Sequence, residues 1–67
     1  MSLYDYRTSQ EISAEDYTFY ALIMAAMRQA DTRNSELLER AFPEVFKELW
    51  QRYEAPEGVL PGERETK

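Results

Sequence analysis

From Tyr17 to Met27 the chain reads YTFYALIMAAM, with ten of eleven positions apolar, between Asp16 and Arg28. An amphipathic surface helix carries one apolar stripe; a helix that is apolar all round must be covered on more than one side. Tyr17, Tyr20, Met24 and Met27 form one stripe of such a helix, and Phe19, Ile23 and Ala26 form a second. Two stripes imply two neighbours. The run is about half of the roughly 20 apolar residues that span a bilayer. It therefore reads as a core helix.

Ser13 predicts where this helix starts. Its hydroxyl can accept from a free first-turn N–H. Asp16 stands three residues on, where a capping box carries Glu or Gln, and Glu15 and Asp16 suit the positive end of the helix dipole. The first helix is thus expected over residues 14–30, with Ile12 reaching back to Thr18 or Phe19. Ahead of it, Tyr4, Tyr6 and Thr8 alternate with Asp5 and Arg7, which predicts an extended N-terminal arm over residues 1–12.

Asp31, Thr32, Asn34 and Ser35 favour caps and turns. A second helix follows over residues 32–41, with Leu37, Leu38 and Ala41 inward and Glu36 and Arg40 spaced to pair outside. Pro43 disfavours helix at Phe42 and suits a first helical position. A third helix over residues 43–54 turns Val45, Phe46, Leu49, Trp50 and Tyr53 inward, with Glu48 and Arg52 paired on the wet face. Both glycines and two of the three prolines fall after residue 54. Residues 55–67 then form an irregular loop and charged tail, in which Val59 and Leu60 either fold back or dock elsewhere. The fold class is all-α: a small three-helix bundle-like domain, residues 13–54, between arm and tail.

Sixty-seven residues bury a modest core. Small scaffolds gain stability from disulfides, metals or association. The chain has no Cys and no His, which removes a disulfide framework, a thiolate site and the commonest metal ligand and general base. Association is left as the route to extra stability.

The net charge is −5. Residues 1–13, 14–30, 31–42, 43–54 and 55–67 each sum to −1, so the acidity forms no tail. It disfavours nucleic-acid binding, which needs a basic face, and it repels an anionic membrane surface. The start MSLYDYRTSQE lacks the basic region of a signal peptide. A cytoplasmic protein is expected.

Candidate chemistry is thin. Glu15/Asp16, Glu36/Glu39 and Glu44/Glu48 are the local carboxylate pairs, and capping or surface pairing explains each. Ser2, Ser9, Ser13 and Ser35 have no histidine partner, and no nucleophile elbow or phosphate loop occurs. No catalytic, cofactor-binding or metal-binding residue is assigned. The expected function is a non-enzymatic protein–protein interaction module, self-associating as a homodimer through the first helix. Its candidate interface comprises Phe19, Tyr20, Ile23, Met24, Met27, Val59 and Leu60. A helix-turn-helix DNA-binding regulator is the alternative, opposed by Glu44 at the start of the third helix. An enzyme or carboxylate metal site is the remote one.

Overall fold

The computed structural model describes residues 1–63. Among them are four α-helices: α1 (Leu3–Ser13), α2 (Phe19–Gln29), α3 (Thr32–Ala41) and α4 (Pro43–Glu54), followed by a 3-10 turn at Pro56–Gly58. The all-α class holds, and no strand occurs among the described residues.

The expected extended arm is a helix, which corrects the first boundary. Ser2 caps it, its Oγ accepting from the Asp5 N–H at 3.1 Å, and Asp5 lies in the first turn. No Gly or Pro interrupts the eleven residues that follow, so the cost of helix at each is small. The sequence contains Ser-x-x-Asp twice, at Ser2–Asp5 and Ser13–Asp16. The first copy is a helix start; the second is a helix end.

Ser13 accordingly closes α1 rather than capping the next helix. The Ala14 N–H donates to the Gln10 carbonyl at 3.1 Å and the Glu15 N–H to Ile12 at 3.0 Å. Asp16 then takes φ +65°, a left-handed conformation in which Asp is enriched. That reversal breaks the expected helix over residues 14–30. Thr18 caps α2 instead, its Oγ1 accepting from the Ala21 N–H at 3.2 Å.

The later boundaries agree with expectation. Asp31 caps α3 through the Asn34 N–H at 2.8 Å. Phe42 forms a one-residue corner: its N–H donates to Leu38 at 2.8 Å and its carbonyl accepts from Phe46 at 2.9 Å. Pro43 opens α4, where its missing N–H costs nothing.

Helices α2, α3 and α4 pack pairwise, and the 3-10 turn lies on α4. The core sits where α2 meets α4, with Met27 and Leu49 buried to 4% and 3% exposure. Among the described residues no helix packs against α1, and every residue of α1 except Thr8 is exposed. The molecule is therefore long, 44 × 27 × 17 Å, with a radius of gyration of 14.2 Å. A compact chain of this length would have about 11 Å.

Candidate interaction surface

Helix α2 has a closed face and an open one. Tyr20, Ile23, Met24 and Met27 fall at spacings of three, one and three, so they share a side. Met27 is buried there, Ile23 and Met24 are half-buried, and Tyr20 and Met24 border Glu44, Val45 and Glu48 of α4. Phe19 closes the N-terminal end, its ring edge-on to Tyr20 at 5.2 Å and to Phe42 at 6.0 Å.

The opposite side carries Ala21, Leu22, Ala25, Ala26 and Gln29. Toward α1 these residues form an open groove with Ile12 and Tyr17. Toward α3, Ala26 and Gln29 continue into a second shallow groove with Leu37, Leu38 and Ala41. The two depressions share Ala26 and Gln29 and make one surface. No residue lining either is charged, in a chain that is 31% charged. Ile12, Tyr17 and Leu37 are 42%, 58% and 45% exposed.

The candidate interface residues are thus divided. Met27 is buried, at 4% exposure, on the side it shares with Met24, turned away from the open groove. Phe19 and Tyr20 remain exposed, at 56% and 57%, beside the closed face. Ile23 and Met24 are half-used by intramolecular packing. The helix is apolar on two sides, but the open one consists of Ala21, Leu22, Ala25 and Ala26 and not of the expected set Phe19, Ile23 and Ala26. Of the four, Ala26 belongs to the expected second stripe; Ala21 and Ala25 are the signal that a reading by large side chains misses. Leu37, expected inward, lines the open surface.

Val59 and Leu60 are half-buried in a segment tied back onto α4. Its anchor is Arg52. The Arg52 Nε donates to Glu48 at 2.8 Å, Nη1 to the Gly58 carbonyl at 2.8 Å and to Glu63 at 2.9 Å, and Nη2 to Glu63 at 2.6 Å. The fork geometry of guanidinium fits this bidentate pairing. Glu63 also accepts from the Leu60 N–H at 3.0 Å. The Arg52 hydrogen bond, with help from Leu60, holds the Glu63 carboxyl down at about 2, against an ordinary 4.5. Arg52 is raised still further above its usual range, first by Glu63 and then by Glu48. Glu63 therefore belongs to the folded body; the rest of the expected charged tail, residues 64–67, lies outside the described residues.

The Glu48–Arg52 pair forms as expected, whereas Glu36 and Arg40 make no ion pair among the described residues. Trp50, expected in the core, is 42% exposed and stands edge-on between Phe46 at 6.1 Å and Tyr53 at 5.3 Å. Arg28 from α2 reaches to 6.0 Å from the Tyr53 ring. Among the described residues no three carboxylates converge, and no helix is long and apolar enough to cross a membrane.

Fold and surface define a small all-α helical domain with an uncharged, mostly apolar open face. Compared with protein families, curated proteins and solved structures, the chain matches none.

Proposed function

We propose that this chain is a non-enzymatic protein–protein interaction module that self-associates through the open face of α2. One observation carries the reading: the continuous surface from Ile12 and Tyr17 across α2 to Leu37 is mostly apolar, with Gln29 and Asn34 its polar members, and free of charge. Contiguous exposed apolar surface rimmed by polar residues is one mark of an interaction site. Two copies of a chain with net charge −5 repel one another, and they meet at least cost where neither presents a charge. The absence of His and Cys from the sequence favours binding over catalysis. The reading includes a cytoplasmic setting, which the cysteine-free composition permits.

The test is a charge placed on the face. Ala25 is exposed and lies in the groove. Glu is a good helix former, so Ala25→Glu keeps α2 intact. In a self-complementary interface both copies carry the new charge, and like charges in contact cost several kcal/mol. The dimer dissociation constant of Ala25→Glu should rise by at least about tenfold, measured by sedimentation or light scattering. An unchanged constant with unchanged helicity contradicts this placement of the interface.

A further inference from the structure

We propose that α1 is an exchanged helix: α1 of one copy seats on the α2–α3 surface of a second copy, and the reverse. The inference rests on the self-association reading and names the element that covers the face.

Among the described residues, α1 is the one α-helix that packs on no other. It has eleven residues, below the roughly 12–15 at which isolated helices become even marginally stable in water. Such a helix needs a surface to lie against. The open surface needs a cover, and its length suits this one: α1 and α2 both have eleven residues, about 16 Å each.

The chemistry of the two surfaces matches. Along α1, Leu3, Tyr6, Gln10 and Ser13 recur at spacings of three, four and three and share a side. None is charged, and Leu3 and Tyr6 are each 62% exposed. Asp5 lies across the helix from this side, whereas Arg7 and Glu11 flank it and line a depression with Leu3. Leu3 and Tyr6 supply bulk; Ala21, Ala25 and Ala26 on α2 supply the space that lets a second helix approach.

The exposed area suits an association of this size. The chain exposes 5967 Å². A folded monomer of 7.9 kDa exposes about 4,400 Å². The difference exceeds the roughly 800 Å² that each partner buries in a standard interface, with margin for the chain ends. The link between α1 and α2, residues 14–18, contains the left-handed Asp16, and of α1 it is Ile12, near the C-terminal end, that borders α2 of its own chain. Exchange of an element through such a link is a low-cost route to a dimer.

The absence of native cysteine makes the test direct. Full-length Gln10→Cys and Ala25→Cys chains, distinguishable by mass, are mixed at micromolar concentration, oxidised, and the disulfide-linked species weighed by mass spectrometry. Seating places the new thiol on α1 of one copy at millimolar effective concentration from the new thiol on α2 of the other. The mixed disulfide should then exceed either homodisulfide by about tenfold. Dominance of the Ala25→Cys homodisulfide overturns the exchange and leaves self-association standing, with α2 against α2. Ready closure within one chain of the Gln10→Cys/Ala25→Cys double variant also overturns it, because α1 then covers its own face. No interchain disulfide together with a monomeric mass overturns both readings.

Discussion

Arg52 ties together more of the described chain than its own helix. It joins Glu48 on α4, the Gly58 carbonyl and Glu63, and so fastens residues 56–63 to α4. Arg52→Gln keeps length and polarity but loses the fork and the charge. Amide hydrogen exchange at Leu60 should accelerate in this variant while that at Leu49 stays slow; equal rates at Leu60 in both proteins would show that the segment holds without Arg52. The same contact responds to acid. The Glu63 carboxyl has its folded pKa depressed, from 4.5 to about 2. Its stabilising contribution is fully present above about 4.5 and is lost as pH falls through about 2. A carboxyl titration by NMR should find Glu63 ionised at pH 3.5, and a midpoint near 4.5 would contradict the pairing. At this scale the sequence is partly transparent. Glu48 and Arg52 stand at i,i+4 and predict each other. Glu63 is eleven residues from Arg52, and its approach depends on the positive φ of Glu57 and Gly58, which no local pattern announces.

At the scale of elements, the boundaries that chemistry marks strongly are legible and the others are not. Asp31, ahead of further cap-forming residues, and Pro43 mark helix starts, so α3 and α4 begin where the sequence predicts. Ser-x-x-Asp is ambiguous: it precedes α1 at Ser2 and ends α1 at Ser13, and local residues do not distinguish the two. The difference lies in Asp16, whose left-handed backbone splits a segment whose composition favours a longer helix. Two predictions belong here. A peptide of residues 1–15 should show little helical circular dichroism in water, because α1 has no packing partner of its own among the described residues; substantial helicity would mean that α1 needs no cover. Leu49→Ala should destabilise the domain by about 2–5 kcal/mol, read from denaturant unfolding. The exposed Leu37→Ala should cost less in a monomeric background. Equal costs would remove Leu49 from the centre of the core.

At the scale of the whole molecule, the described residues of this 67-residue chain pack three helices around the buried Met27 and Leu49 and leave a fourth outside. That residues 17–27 carry apolar side chains on more than one side is readable from the sequence. Which side remains open is not, because it depends on how α2 rotates against α4. That rotation turns Met27 in and Ala25 out, whereas size alone would rank Met27 the better interface residue. A second copy is the proposed cover for the open side. Absolute mass by light scattering behind a sizing column, over a hundredfold range of concentration, tests this most directly. A mass twice 7.9 kDa, falling to the monomer only on dilution, is the predicted result. A mass of 7.9 kDa throughout the range would contradict it.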